Sequence, residues 1–269
     1  MIRLPELTSP FGFIFFTLIF FIIITGRYLL VSGLFYGIFY LWYPEKWQAR
    51  KLSKRAYPPQ QLKKEMRWSL ITSLLFSVMA TLTLILWEKG WTQVYIDPLA
   101  YGWYYLPLSL LLSLAFQETY YYWLHRWMHL PAVFKRVHKV HHDSNITSPF
   151  TAFSFHPLEG FLQALMLPLT LLILPMHPLV ILLLLMIMSI SSVINHLNIE
   201  IYSSRFQNSS VGKWLVGATH HSMHHSQFKY NYGLYFTLWD RWKKTESPLY
   251  SKMVEGLTGR GRVPKKGTV

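Results

Sequence analysis

The sequence predicts an all-α integral-membrane fold: a helical bundle of about four spans or hairpin equivalents beneath a histidine-rich cap on the cytosolic side. Three observations predict it. Long uncharged apolar stretches recur in a chain that is 52% hydrophobic and only 14% charged, where a soluble domain carries about 25% charge. Basic residues are shared unequally between the loops. Most of the twelve histidines gather where apolar stretches end.

The elements follow in order. Residues 11–43 carry one charge, Arg27, and form either one long tilted span or a short re-entrant pair, since about 20 residues suffice to cross a bilayer. No small-residue cleavage site ends this stretch, so it reads as a retained anchor rather than a signal peptide. A basic loop follows, with Lys46, Arg50, Lys51, Lys54, Arg55, Lys63, Lys64 and Arg67. Pro58-Pro59 interrupts any helix there. Residues 68–87 are a second span, with Trp68 and Trp87 at its two ends as interfacial anchors. The next loop has Lys89 as its only basic residue, and residues 99–123 form a third span containing Glu118. The excess of Lys and Arg in the first loop places it, and with it the histidine clusters, on the cytoplasmic side. That side is the cytoplasmic face of a bacterial inner membrane or of the endoplasmic reticulum.

Residues 161–193 are apolar but broken by Pro175 and Pro178, which predicts two half-length helices forming a hairpin. The organisation expected is therefore membrane spans and basic loop over 1–97, a catalytic region over 98–249, and a basic, disordered tail over 250–269. The formal charge of +14 in so apolar a chain points to a membrane surface rather than nucleic acid. The absence of cysteine excludes disulfides, thiolate metal sites and cysteine nucleophiles.

Three histidine clusters carry the chemistry: His125-Arg-Trp-Met-His129, His138-Lys-Val-His141-His142, and His221-Ser-Met-His224-His225, the last preceded by His220. Positions three and four apart share a helix face, so each cluster aims its imidazoles one way. Chance would supply an H-x-x-H-H pattern roughly 0.02 times in a chain of this composition, and it occurs twice. One zinc takes four ligands. Eight clustered imidazoles therefore suit two metal ions, and imidazole accepts Zn, Cu, Fe or Ni. Spacing does not separate iron from zinc; a lipid C–H bond with no acid–base handle favours a redox metal used with O2.

His196, where the hairpin re-emerges, is placed to complete the second ion's shell. His156, in Phe155-His156-Pro157-Leu158-Glu159-Gly160, is a further possible ligand or a supporting residue, as is Asp240. His177, between two prolines at the hairpin tip, reads as interfacial. Glu118, seven residues before His125 and on the same helix face, is the candidate catalytic carboxylate. It could accept a hydrogen bond from a ligand imidazole or pair with Arg126 or Lys135. The aromatic run Tyr120-Tyr121-Tyr122-Trp123 and the hairpin either line a lipid entry or pack the bundle. A metal transporter would place its ligands mid-bilayer rather than at helix ends. A haem protein needs two opposed histidines rather than three boxes, so no haem is expected.

The series H-x3-H, H-x2-H-H and a later H-x2-H-H resembles the fatty acid hydroxylase and sterol desaturase superfamily. The runs from Ser148 to Gln163, from Ala218 to His225, and from Tyr230 to Arg241 are similar to those of C5-sterol desaturases. The resemblance covers about residues 115–245. It implies a helical membrane fold with a cytosolic cap. It also implies two irons held by His125, His129, His138, His141, His142, His221, His224 and His225, with His196 matching a family histidine and Glu118 a family acid. The implied reaction uses O2 and two electrons to remove two hydrogens from a sterol-like lipid. Near relatives hydroxylate acyl, alkyl-ether or polycyclic lipids instead. No electron-carrying domain is fused to the chain, which implies a separate donor of cytochrome b5 or ferredoxin type.

Overall fold

The computed structural model describes residues 4–259. Among them no β-strand forms, and only three isolated bridges occur. Three helices are long and apolar enough to cross a membrane, and the chain is an integral-membrane protein. Helix α1 (Pro10–Tyr36) starts where Ser9 caps the Gly12 N–H and Pro10 opens the first turn. It runs on as a π-helical turn over Gly37–Trp42, so residues 11–42 are one continuous rod rather than a re-entrant pair. A short α2 (Pro44–Gln48) leads into the basic loop, and α3 (Pro59–Glu88) returns, with Pro59 at its first position.

α1 and α3 pack antiparallel: the Thr17 and Thr81 hydroxyls meet at 3.0 Å near one end, and Tyr28 reaches Met66 towards the other. The buried face of α3 is Ser69, Thr72, Ser73, Ser77 and Thr81, small side chains that let backbones approach closely. Its leucines Leu70, Leu74 and Leu82 point outward, as do Ile14, Leu18 and Ile22 of α1. A stripe that is small and hydroxylic inside and leucine-rich outside suits a helix pair solvated by lipid rather than water.

Helix α4 (Tyr105–Met128) begins six residues later than the span expected from 99 and continues past Trp123, so it carries His125 in its own last turn. Short helices α5 (Pro131–Val137) and α6 (Lys139–His142) bring the second histidine cluster back under it. A 3-10 turn over Pro149–Phe153 with a Ser148 capping box precedes α7 (Pro157–Ala164), α8 (Met166–Ile173) and α9 (Pro178–Asn195). The expected hairpin is thus unequal. Its first limb is two short helices, whereas α9 has 18 residues, about 27 Å of rise. Pro178 sits at the first position of α9, where a proline costs nothing, so it starts this helix instead of breaking it.

The core between α4 and α9 is Leu114, Val180 and Leu184, with Leu171, Met176 and Tyr235; Tyr28, Phe153 and Val193 join α1 and α9. The cap continues through α10 (Ser204–Gln207), a turn over Gly212–Trp214, α11 (Ala218–Gln227) and α12 (Leu238–Trp242). The tail expected to be disordered from 250 is helical as α13 (Tyr250–Gly259), because Tyr250 and Val254 bury against Met223 of α11. Residues 260–269 lie outside the described residues.

Candidate metal centre

Four segments converge on one interior point. His125 lies in the last turn of α4 and His129 caps that helix. His138 joins α5 to α6, which holds His141 and His142. His196 caps α9, and α11 carries His221, His224 and His225. Their ring nitrogens form two groups that could each hold a metal ion. One group is His125, His129, His138, His142 and His224; the other is His141, His196, His221 and His225, with donor atoms within 4.8 Å of one another. His129 is half-buried and the other eight are buried.

The outer nitrogens are tied to oxygen acceptors. Nδ1 of His125 lies 2.9 Å from the Tyr232 carbonyl, that of His224 2.8 Å from Tyr230, that of His196 2.7 Å from Ser192, that of His141 3.3 Å from Ser154, and that of His138 2.8 Å from Glu159 Oε1. A neutral imidazole carries one N–H. Placed on Nδ1 in these five, it leaves bare lone pairs on Nε2. Yet Nε2 of His125 faces Nε2 of His138 at 3.1 Å, and Nε2 of His141 faces that of His196 at 3.1 Å. Two lone pairs repel at that distance unless a cation lies between them, so the donor set fits metal ions in both groups. Burial and the neighbouring imidazoles hold His138, His141, His142, His221, His224 and His225 well below the usual histidine range. They are therefore neutral near pH 7 and available as ligands.

Two buried carboxylates support this arrangement from behind. Glu118 accepts the backbone N–H groups of Tyr235 (2.7 Å), Phe236 (3.2 Å) and Leu234 (3.3 Å). It has no imidazole partner, and neither Arg126 nor Lys135 pairs with it. Asp240 accepts from the Tyr232 and Gly233 N–H groups and from Thr245 Oγ1. Burial pushes its carboxyl up to about 6, against the pull of those donors. Together the two carboxylates clamp the loop at both ends of Tyr232–Phe236, and the Tyr232 carbonyl is the one that orients His125. Both carboxylates thus hold this loop, and neither is hydrogen-bonded to a histidine of either group. The role foreseen for Glu118, accepting from a ligand imidazole, belongs to Glu159.

His156 is the N-cap of α7, accepting the Leu158 N–H at 3.3 Å, and belongs to neither group. His177 is buried within the protein; it caps α9 and bonds the Ile96 carbonyl. His220 is buried, belongs to neither group, and lies 3.7 Å from Asp240. The aromatic run is largely packing: Tyr120 bonds the Leu162 carbonyl, Tyr121 lies against His125, and Tyr122 stacks on Trp239, leaving Trp123 exposed. An apolar cavity of about 170 Å³ opens between α4 and α9, lined by Leu114, Ile187, Ile194, Tyr235 and their neighbours.

Sequence reasoning missed Glu159, Glu200 and Asn231. Glu200 bonds the Tyr202 and Thr219 N–H groups and so seats the first turn of α11. Asn231, at φ 63°, ties the His220 carbonyl to the Ser247 N–H. Only the Asn-Tyr-Gly run around Asn231 carries a local turn signal.

The profile of the family described as fatty acid hydroxylase matches residues 110–245. The chain is 34% identical over 184 residues to lathosterol oxidase of Homo sapiens, covering 67% of this chain and 60% of that protein. It is 36% identical over 190 residues to lathosterol oxidase of Mus musculus, covering 68% and 62% respectively. It is 33% identical over 187 residues to the Delta(7)-sterol 5(6)-desaturase of Eremothecium gossypii, covering 69% and 51%. The matched stretch thus spans less than two thirds of each relative. No solved structure gives a significant match.

Proposed function

The chain belongs to the fatty acid hydroxylase family, and on that premise we propose that it is a multi-pass membrane di-iron oxidase that desaturates a sterol at a C5-like position. The balanced reaction takes a CH–CH unit, O2, two electrons and two protons to a C=C unit and two waters. The observation that carries this reading is the pair of all-imidazole groups, five and four strong, gathered where α4 and α9 end.

His125, His129, His138, His142 and His224 would hold one ion, and His141, His196, His221 and His225 the other. One group here has five donors, one more than a tetrahedral zinc takes, which favours an ion of higher coordination such as iron. Bound iron would supply the O2-dependent oxidising power that no side chain offers.

The protein's own residues bind, orient and shield. The carbonyls of Tyr230, Tyr232, Ser154 and Ser192 and the Glu159 carboxylate set five of the nine rings. Burial of eight of the nine imidazoles excludes water. The apolar cavity between α4 and α9 suits a lipid entering from the bilayer, with Leu114 and Tyr235 on its wall. Electrons would come from a separate cytochrome b5-type or ferredoxin-type donor, for which the basic loop between α1 and α3 is a complementary cytoplasmic surface.

Sterol analysis by mass spectrometry after expression in a host lacking C5-sterol desaturation tests this. Restored 5,6-unsaturated sterol is expected. A hydroxylated lipid without a new double bond would instead support the second reading, a lipid hydroxylase, which the matching family's description favours. Purified protein without a bound transition metal, or unimpaired turnover in His138→Ala, would overturn the di-metal mechanism.

A further inference from the structure

Of the nine converging imidazoles, four have a backbone carbonyl at Nδ1 and one, His138, has a carboxylate. We propose that Glu159 is a positioning residue for the five-histidine group: through Nδ1 it fixes the ring orientation and tautomer of His138 and lends that group a negative charge that the four-histidine group lacks. This rests on reading the two groups as metal sites.

The local fold is built to deliver that carboxylate. Pro157 opens α7 and His156 caps it, which puts Glu159 in the first turn. Gly160, the next residue, lies against Thr72 and Leu75 of α3, where an added Cβ would come within 3.4 Å of the Leu75 side chain, so α7 can seat closely there. One turn on, Gln163 Nε2 donates to Glu159 Oε1 at 3.1 Å, the same oxygen that His138 Nδ1 meets at 2.8 Å. The side chains of Glu159 and His138 are both fully buried. Among the described residues, no other carboxylate is hydrogen-bonded to a histidine of either group.

Charge decides the interpretation. A buried carboxylate with no lysine or arginine partner is costly to desolvate. A cation on the far nitrogen of His138 offsets that cost, because a metal-bound imidazole is a stronger N–H donor and the carboxylate in turn makes it a more basic ligand. Packing alone explains neither the acid in a dry interior nor its aim at Nδ1.

The inference predicts asymmetry between the two ions. Purified full-length protein, Glu159→Gln and Glu159→Ala would be loaded anaerobically with Fe2+, and release to a chromogenic chelator followed in time. The visible band of Co2+-loaded protein would be recorded alongside. Gln is near-isosteric and keeps an acceptor for His138, so it removes the charge alone; Ala removes both. Removing such a partner costs about 10- to 100-fold in metal affinity. Hence one of the two ions should leave about 10-fold faster in Glu159→Gln and about 100-fold faster in Glu159→Ala. The other ion's release should be unchanged, and the Co2+ band shifted in both variants.

A merely structural role would speed both phases equally and leave the Co2+ band of Glu159→Gln where it was. That outcome, or wild-type release of both ions from Glu159→Gln, overturns the proposal. If the wild-type protein itself retains neither Fe2+ nor Co2+, the metal-centre reading falls, and this inference with it. If it retains two ions and the variants release them alike, only the inference falls.

Discussion

Glu118→Ala separates a catalytic carboxylate from a structural one. The Glu118 side chain accepts three buried backbone N–H groups, two at 2.7 and 3.2 Å and a longer one at 3.3 Å. Orphaning a buried donor costs about 1–3 kcal/mol, more when the lost acceptor is charged. Two firm bonds and one weak one put the loss at about 3–6 kcal/mol, a large share of the roughly 5–15 kcal/mol that holds a typical fold. At roughly 2–4 °C per kcal/mol for a chain of this size, the melting point should fall by roughly 6–24 °C. Glu118→Gln keeps an oxygen for the Tyr235 and Phe236 donors but turns an NH2 toward the Leu234 N–H, so it should lose about 1–2 kcal/mol. The assay is thermal unfolding of detergent-purified protein, with metal content measured on the same samples. Metal content should fall with melting point, because the displaced loop carries the Tyr232 carbonyl that orients His125. Two results refute the reasoning. One is melting of Glu118→Ala within a degree or two of wild type. The other is Glu118→Gln with unchanged melting and metal content but no turnover, which would return this acid to the chemistry.

His220→Ala should keep both ions while His221→Ala loses metal, since His221 belongs to the four-histidine group and His220 faces Asp240 instead; elemental analysis of the purified variants decides it. Ser73→Leu should overpack the α1–α3 seam and cost about 1–3 kcal/mol, whereas Leu74→Ala, half-exposed to the lipid side, should change melting little. Acid should destabilise the metal-free protein. Its buried imidazoles sit well below their unfolded value of about 6.5, so their contribution is fully present above about pH 6.5 and is lost as pH falls, by up to about 1.4 kcal/mol per pH unit for each such imidazole. Equal melting points at pH 7.5 and pH 5.5 would contradict it.

The helices were legible where composition alone decides them. Uncharged runs bounded by charge or proline locate α1, α3 and α9, because a bilayer demands length and apolarity and little else, but α3 begins at Pro59, nine residues before its uncharged run, since the basic residues ahead of Trp68 continue the same helix. The proline at 178 misled for a specific reason. The same residue that breaks a helix interior also begins a helix, and which it does depends on the turn before it. Here His177 caps the Leu179 N–H and makes the break a start. The helix at 250 was illegible because its evidence is tertiary: it exists by packing Tyr250 and Val254 against Met223, and no local periodicity outweighs the basic tail beyond.

The site divides along the same line. A ligand that must converge on an ion with its neighbours leaves a spacing, so His125, His129, His138, His141, His142, His221, His224 and His225 could be found from i, i+3 and i+4 offsets alone. His196, a single residue, could be placed only by where its helix re-emerges. The carboxylates leave no spacing, because each acts across the fold: Glu118 reaches residues 234–236, and Glu159 reaches back to His138. From sequence, both are acids near histidines, and the one sharing a helix face with His125 is the more plausible partner. Geometry reverses that choice. Seven residues put Glu118 two turns from His125 on the same stripe, about 10.5 Å along the axis, too far for a hydrogen bond between side chains on neighbouring turns. Glu159 is 21 residues from His138 in sequence but adjacent in space. A rule that looks for the acid on the ligand's own helix will therefore miss the partner whenever, as with His138 and Glu159, the two lie on different elements of the fold.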